Sequence, residues 1–438
     1  MPDSDGTAGT AAIQQRPGGR DSLGGSWLVQ CAVIIPVFLV ALYVRSPRLF
    51  VEPRLWAEEG TAYYALLQDG AVSPFTLLVN GNYQFLTNMA AAAALWVPAV
   101  WAAHVTTAFA AAVAVVDMVL LSRVAAEEGW HPFWSALLAV ALALLPQGYE
   151  LYLTSTNVQW LCSISVVLLC LASLERWSHW ARMLAFAWAL VCGLTGVPSA
   201  ALAPVVLAAG WFKRSRPHVV IGALLAFCAL LQLAVIVSHE LPNRHFSTSF
   251  FVLLMAAAVQ SILVPLSGSL LAAPLVLDLR EAPTLASILA ILAVSGLLVC
   301  AAGVRLARTG GGGFVVWVLF GSAAVATVIN VFGAIGAPDD LVSVNIGARY
   351  FFLGTVSGLL SLMYLMHRTG RVARCIAALA LCLCVNAGVS EIGLTRWRAN
   401  VNAGPSWRTV VERCRQVRPC EVRVWPGWGD WVFQLQHP

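Results

Sequence analysis

Residues 27–44, WLVQCAVIIPVFLVALYV, form an apolar run without a charged side chain. A transmembrane helix needs about 20 mostly apolar residues, because the hydrocarbon core of a bilayer is about 30 Å thick. Ten further runs of this kind follow along the chain, at 99–122, 132–147, 156–174, 181–195, 197–212, 218–238, 284–304, 314–335, 350–366 and 372–390. The sequence therefore predicts an all-α polytopic membrane protein with about eleven transmembrane helices.

The composition excludes a soluble protein. The chain has 438 residues, of which 59% are hydrophobic and only 11% are charged, whereas soluble proteins carry about 25% charged residues. The formal net charge is +5, and no block of Lys and Arg indicates nucleic-acid binding. Membrane lipid is the expected surroundings, and nucleic acid is not an expected partner. One lysine and abundant alanine are typical of a GC-rich bacterial genome, which favours a bacterial inner membrane.

The distribution of Lys and Arg predicts the orientation of the chain. Residues 249–275 are ambiguous, because polar and helix-breaking residues interrupt an otherwise apolar segment. If this segment does not span, the short cytoplasmic loops carry more basic residues than the short outer loops, as the positive-inside rule requires. We therefore expect 240–283 to lie outside. Residues 1–26 then form a disordered cytoplasmic tail, 27–390 the transmembrane domain, and 391–438 an extracytoplasmic tail.

The polar C-terminal tail is predicted to be a small α+β unit. Residues 406–416 have helical spacing, and residues 421–425 and 431–435 alternate like the strands of a hairpin. Cys414 and Cys420 can form a disulfide if the tail faces an oxidising compartment, and the sequence leaves open whether they do. The other nine cysteines lie in apolar runs, where cysteine acts as a small hydrophobic residue.

The first outer loop, residues 45–98, contains the most informative polar residues. Residues 55–68 are predicted to form a short juxtamembrane helix, which Asp69-Gly70 ends. A second amphipathic helix is expected over 84–96. This loop, with 240–283, places much of the non-spanning mass on one side, so we expect the protein to act on that side.

Two adjacent carboxylates lie on the first of these helices. Glu59 shares a helix face with Tyr63 and Leu66, while Glu58 lies beside them. A partly desolvated carboxylate has a raised pKa, which suits a general base. The flanking aromatic residues, Trp56, Tyr63 and Tyr64, could stack on sugars or mark the membrane interface, and Tyr63 is a candidate for substrate binding. The alternative interpretation of the pair is a solvated acidic turn.

The topology and four short motifs resemble the GT-C superfamily of membrane glycosyltransferases. The motifs are WAEEG at 56–60, GNY at 81–83 before a second juxtamembrane helix, GARYFF at 347–352 and VRVWPGW at 422–428. The usual acidic pair of this superfamily contains an aspartate, whereas both positions here are glutamate. The resemblance therefore leaves open which glutamate is the base.

The resemblance implies an inverting glycosyl transfer on the outer face of the membrane. The donor is a polyprenyl-phosphate-linked sugar, and the acceptor is a glycan, a lipid-linked glycan or a protein. One of Glu58 and Glu59 would deprotonate the acceptor hydroxyl, and we favour Glu59 slightly because it shares a face with Tyr63. Cationic residues would stabilise the departing phosphate. Some members use a divalent metal, but no cofactor is firmly expected here.

Five further residues are candidates for substrate binding. Arg349 could bind a lipid phosphate through two parallel hydrogen bonds, or it could anchor the interface or pair with a nearby aspartate. Arg244 and His245 lie in the outer segment after the seventh predicted span and could close on the donor, or form an ordinary polar loop. Asn157 could bind a sugar or belong to a helix cap. Tyr350 follows Arg349 in the motif that the resemblance marks.

Two other classes of function stay open. A transporter or flippase for lipid-linked sugars should show polar residues at mid-membrane and repeated halves. Asp117 is the one acid predicted inside a span, and no internal repeat is detected. A non-catalytic membrane subunit or a membrane acyltransferase is the third possibility, although the histidines lie scattered near span ends. Acids at the outer surface favour the glycosyltransferase.

Overall fold

The computed structural model describes residues 20–239, 250–281, 285–309, 311–332, 341–342, 344, 347–394, 405–417, 419–425 and 431–436. Helices occupy most of these residues, and two short hairpins supply the β-structure within them. The prediction of a helical membrane domain is therefore confirmed at the level of fold class.

Seven helices in the described part of the chain are long and apolar enough to cross a membrane. They are Ser26–Arg45, Ala99–Glu127, Arg216–Ser238, Leu254–Leu277, Gly312–Ile329, Ala348–Arg368 and Arg371–Ile392. The chain is accordingly a multi-pass membrane protein.

Four of the predicted spans correspond to helices shorter than a bilayer requires. Pro132–Leu144, Val158–Leu171, His179–Thr195 and Ala203–Lys213 have 13, 14, 17 and 11 residues. Except at His179–Thr195, the apolar runs continue beyond these helices but the helices do not, because prolines, glycines and polar turns interrupt the backbone between them. Hydropathy alone therefore overestimated the length of three of these helices, whereas the helix predicted over 181–195 is two residues longer, at His179–Thr195.

The full bounds of the helices differ slightly from those of the apolar stretches given above, because the helices extend beyond or begin inside them. Their bounds are Arg20–Arg45, Pro47–Val51, Phe85–Leu95, Ala102–Glu127, Val197–Ala200, Phe250–Ala258, Val264–Glu281, Leu285–Ala307, Gly312–Phe332, Phe352–Arg368, Arg371–Leu394 and Trp407–Gln416. The strands are Leu78–Val79 with Asn82–Tyr83, and Cys420–Arg423 with Val432–Leu435. The predicted second helix of the first loop is present as Phe85–Leu95.

The two ends of the helical domain can be told apart by the residues that meet there. At one end, which we call the loop face, the first loop (46–98) is fixed by Gln232, whose Nε2 donates to the carbonyl of Tyr83 at 2.9 Å. At the other end, the opposite face, Arg368 pairs with Glu128 at 2.5 Å.

The helices on either side of residues 250–281 both have their nearer ends at the loop face. Helix Arg216–Ser238 ends at that face, because Gln232 lies near its C-terminus. Helix Leu285–Ala307 ends at the opposite face, where a Cβ on Gly370 would lie 3.9 Å from Nη2 of Arg305. Since this helix of 23 residues is about 34 Å long, it begins at the loop face. The helix before this segment therefore ends, and the helix after it begins, at the loop face.

The ambiguous segment is nevertheless more regular than the sequence indicates. Leu254–Leu277 is a helical stretch of 24 residues with the length and hydropathy of a span. Its break is at Gly268, with φ 78° and ψ 161°. The backbone N–H of Ser269 donates to Oε1 of Glu391 at 2.5 Å, which satisfies a donor that the break exposes. The helix-breaking residues thus produce a kink and not a loop.

The C-terminal unit comprises the described residues of 405–436. Helix Trp407–Gln416 buries one face, and an antiparallel hairpin follows it. Cys414 and Cys420 form a disulfide that joins the helix to the first strand. The unit packs on the first loop through a shared apolar cluster that includes Leu55 and Tyr64.

Candidate functional site at the loop face

The acidic motif lies on a wide helical turn. Glu59–Tyr64 form a π-helix, which continues as Ala65–Gln68 and ends before Asp69, as predicted. π-turns are rare and are frequent at functional sites. Glu58 immediately precedes this turn and is half-buried, whereas Glu59 is buried within the protein. The two adjacent carboxylates therefore have different environments.

Glu59 is bonded on both carboxylate oxygens. Oε2 accepts from the backbone N–H of Trp56 at 2.9 Å. Oε1 accepts from the backbone N–H of Ser155 at 2.7 Å and from its hydroxyl at 2.5 Å. Burial raises the pKa of Glu59 above its ordinary value, and these hydrogen bonds oppose the rise. With 1% of its surface exposed, Glu59 holds two segments together and is not accessible to a substrate hydroxyl.

Glu58 has the opposite character. Its carboxylate makes no hydrogen bond to any residue that the structure describes, and it is partly exposed. Its negative charge acts on Arg349 and on Tyr63. Burial raises the pKa of Tyr63, and the charge of Glu58 adds to that rise. Of the two glutamates, Glu58 is the one that a substrate can reach.

Arg349 lies at the start of a late helix, where it pairs with Glu150, and the charge of Glu58 acts on it. Its Nη1 donates to Oε2 of Glu150 at 2.8 Å, and the two side chains are 25% and 21% exposed. The guanidinium carbon is 5.4 Å from the ring centre of Tyr350. A guanidinium has five N–H donors, so a phosphate can bind Arg349 beside Glu150.

A single segment, residues 146–157, positions both Glu59 and Glu150. Nδ2 of Asn157 donates to the backbone carbonyl of Glu150 at 2.6 Å and to Oγ1 of Thr154 at 3.0 Å. Ser155 binds Glu59 as described, and its carbonyl accepts from Thr87 at 2.8 Å. Asn157 is 4% exposed. The structure thus assigns Asn157 to the fixation of this segment and not to direct contact with a sugar.

The aromatic residues near the acidic motif belong to the core. Tyr63 is 2% exposed and packs with Leu67 and Leu77. Trp56 is also buried, with its ring edge-on to Trp425 at 4.1 Å between ring centres. These side chains do not offer the open stacking surface for a sugar that the sequence indicated. They instead fix the helix that carries Glu58.

Tyr350 is likewise mostly buried. It is 8% exposed, and its ring packs edge-on against Trp160 with 5.5 Å between ring centres. Because Arg349 lies over the same ring, Tyr350 supports the guanidinium from below. Its predicted role in substrate binding is therefore replaced by a role in positioning Arg349.

Two predicted binding residues cannot be placed. Arg244 and His245 lie outside the described residues, as do the aspartates at 339–340 that sequence reasoning offered as partners of Arg349. In the described ranges, no group of three His, Cys, Asp or Glu residues could hold a metal ion. Of the two carboxylates that act on Arg349, Glu150 is paired with it, whereas Glu58 makes no hydrogen bond in the described chain.

Sequence reasoning missed Glu150 and Ser155. Ser155 is 96 residues from Glu59, and Glu150 is 199 residues from Arg349. Glu150 follows an apolar run in the sequence, between a predicted span that ends at 147 and the next that begins at 156. An acid in a short connection on the predicted outer side was the sequence signal that could have marked Glu150 as a candidate site residue.

Comparisons of the chain with known protein families, with curated proteins and with solved structures give no match.

Proposed function

We propose that the protein is an inverting glycosyltransferase that works at its loop face. The observation that supports this proposal is the accessible carboxylate of Glu58, which has no hydrogen bond within the described chain and acts electrostatically on Arg349. A carboxylate beside a cation at the membrane surface provides a base for an alcohol and a binding group for a phosphate.

The reaction follows from these two groups. Glu58 removes the proton of an acceptor hydroxyl while the hydroxyl oxygen attacks the anomeric carbon of the donor sugar. The bond between that carbon and the phosphate oxygen of a polyprenyl-phosphate donor breaks, and the configuration inverts. Arg349 stabilises the negative charge that returns to the phosphate. The acceptor is a glycan, a lipid-linked glycan or a protein.

A divalent metal is not needed in this scheme. Oxygen-rich sites for such ions need several carboxylates or carbonyls around one position. Of the described carboxylates, Glu150 pairs with Arg349 and the charge of Glu58 acts on it, and no third acidic, His or Cys side chain joins them in a group that could hold a metal ion. These residues do not fit a resident metal, and we route no step through one.

The loop face is proposed to be the outer face of a bacterial inner membrane. Positive charges near the opposite face, including Lys213, Arg305, Arg368 and Arg371, are expected in the cytoplasm. The disulfide in the C-terminal unit, which packs on the loop face, favours an oxidising compartment on that side. The N-terminus is then inside and the C-terminal unit outside.

The test is a transfer assay in membranes with radiolabelled polyprenyl-phosphate sugars. Glu58→Gln is expected to reduce transfer by about 100- to 10,000-fold, because the substitution removes the proton acceptor with little change of shape. Glu52→Gln is the matched control, since Glu52 is an exposed glutamate of the same loop that pairs with Arg48 at 3.1 Å. Its transfer rate should stay within about two-fold of wild type.

Two outcomes oppose the proposal. Equal transfer by Glu58→Gln and the wild type would remove Glu58 as the base. Wild-type membranes that move labelled lipid-linked sugar across the bilayer without forming a product would favour the flippase.

A further inference from the structure

Trp56 of the acidic motif and Trp425 of the C-terminal unit are 369 residues apart in the sequence, yet their backbones pair directly. The backbone N–H of Ala57 donates to the carbonyl of Trp425 at 2.6 Å, and the N–H of Trp425 donates to the carbonyl of Leu55 at 3.2 Å. These bonds form a parallel bridge between Trp56 and Trp425. The residue after this bridge in the first loop is Glu58.

A second contact lies on the other side of Glu58. A Cβ on Gly60 would lie 2.5 Å from Cγ1 and 3.3 Å from Cβ of Val424. Real Cβ atoms do not approach other carbon atoms at 2.5 Å, so Val424 packs directly on the bare backbone of Gly60. The C-terminal unit therefore contacts the chain on both sides of Glu58.

Further contacts extend along the same helix. Nε2 of Gln68 donates to the carbonyl of Gln434 at 2.7 Å, and Gln436 contacts Asp69. Nε1 of Trp407 donates to the carbonyl of Ala99 at 2.7 Å. The unit is thus fixed at several points of the first loop and not at the bridge alone.

The disulfide stabilises the unit that makes these contacts. Cys414 and Cys420 are 0% and 5% exposed, and both belong to the apolar cluster that includes Leu55 and Val424. A unit of this size buries little apolar surface, and small units of this kind depend on a cross-link for their stability. Loss of the disulfide should therefore loosen the surface that bears Trp425 and Val424.

We propose that the disulfide-linked C-terminal unit is a positioning element of the carboxylate site, and that Trp425 and Val424 set the place of Glu58. The claim about catalysis rests on the proposed function, whereas the claim about backbone position does not. Glu58 has no hydrogen bond of its own in the described chain, so its position follows from the backbone on either side of it.

The first experiment measures backbone position without an activity assay. Hydrogen exchange of the full-length protein in detergent is compared between wild type and the double variant Cys414→Ala/Cys420→Ala. The amides of 55–60 should exchange at least about ten-fold faster in the variant, because the bonds to Trp425 open more often. Amides of helix Phe352–Arg368 should not change. Unchanged exchange at 55–60 would overturn the proposal, whatever the catalytic result.

The second experiment uses a compensating pair. Gly60→Ala is expected to lower kcat about ten-fold or more with a smaller change in donor KM, because Glu58 moves while Arg349 stays. Adding Val424→Ala removes the atom at 2.5 Å and should restore at least half of the lost kcat. No rescue, with both variants folded by their thermal unfolding, would contradict the assignment of Val424.

The two proposals fail in different ways. Faster exchange at 55–60 in a protein whose wild type transfers no sugar would leave the positioning role and reject the glycosyltransferase. Normal exchange in the double variant, with active transfer that needs Glu58, would leave the glycosyltransferase and reject the positioning role.

Discussion

The two ends of helix Ala348–Arg368 carry nearly the same ion pair. At the loop face, Arg349 binds Glu150 at 2.8 Å, with side chains 25% and 21% exposed. At the opposite face, Arg368 binds Glu128 at 2.5 Å, with side chains 25% and 22% exposed. Each guanidinium also lies near a tyrosine ring, at 5.4 Å and 5.0 Å from the ring centre. The geometry of the pair alone therefore does not mark a functional arginine.

The two faces differ in the second carboxylate near each ion pair, which is Glu127 at the opposite face and Glu58 at the loop face. At the opposite face, Glu127 accepts from Arg123 at 2.9 Å, from the backbone N–H of Ser173 at 2.7 Å and from Nε1 of Trp177 at 2.9 Å. At the loop face, Glu58 makes no hydrogen bond in the described chain and acts on Arg349. At the opposite face both carboxylates are bonded within the protein, whereas at the loop face the carboxylate of Glu58 is without a hydrogen bond in the described chain.

The first prediction separates the two arginines. Arg349→Ala should raise the donor KM by about 10- to 100-fold, because a hydrogen bond to a charged group contributes about 1.5–3 kcal/mol and 1.4 kcal/mol is a factor of ten. Arg368→Ala should leave donor KM within about two-fold of wild type. The measurement is initial transfer rate against donor concentration in membranes with matched protein content. Equal effects of both substitutions would remove the functional distinction between the faces.

This contrast also shows what the sequence could and could not predict. The helix that ends at Asp69-Gly70 and the second helix of the loop were predictable, because helix stops and amphipathic spacing are local signals. The sequence has adjacent glutamates at 58–59 and again at 127–128. Nothing local distinguishes these pairs. Only the fold brings Ser155 to Glu59 and Ser173 to Glu127, over 96 and 46 residues.

The choice between Glu58 and Glu59 illustrates the same limit. Helical spacing predicted that Glu59, Tyr63 and Leu66 share one face; Glu59 and Tyr63 are buried, whereas Leu66 is 44% exposed. The sequence favoured Glu59 as the base because it shares a face with Tyr63. In the structure Glu59 is buried and accepts three hydrogen bonds, which argues against its contact with substrate. The orientation of a helix face toward the core depends on the C-terminal unit and on residues 146–157, which are remote in the sequence.

The second prediction concerns the structural glutamate. Glu59→Gln should lower the stability of the folded protein by about 1 to 2 kcal/mol, because an amide NH₂ replaces one oxygen and leaves a buried donor such as the N–H of Trp56 without an acceptor. Glu58→Gln is the matched neighbour and should leave stability unchanged. Thermal unfolding in detergent, followed by tryptophan fluorescence, measures both. An unchanged midpoint for Glu59→Gln would show that its hydrogen bonds do not stabilise the loop.

The third prediction is the pH dependence of that difference. Burial raises the pKa of Glu59, so the folded protein retains the proton to higher pH than the unfolded chain. The stability of the wild type should therefore fall as pH rises from about 4.3 through the raised pKa. The glutamine variant lacks this titration, so its deficit relative to wild type should shrink with rising pH. Unfolding midpoints of both proteins between pH 4.5 and 8 test the sign, and a growing deficit would refute it.

The smallest expected effect tests how Glu150 acts on Arg349. The carboxylate of Glu150 and the donor phosphate both require the same guanidinium, and their negative charges repel each other. Glu150→Gln keeps an oxygen acceptor near Nη1 of Arg349 but removes the competing charge. A partly exposed ion pair contributes about 0.2–1 kcal/mol, so donor KM should fall by about 1.4- to 5-fold, with kcat nearly unchanged. Glu128→Gln removes the corresponding charge at the opposite face and should not change KM. A rise in KM for Glu150→Gln would instead mean that the ion pair orients Arg349 for the phosphate, because competition can only lower it.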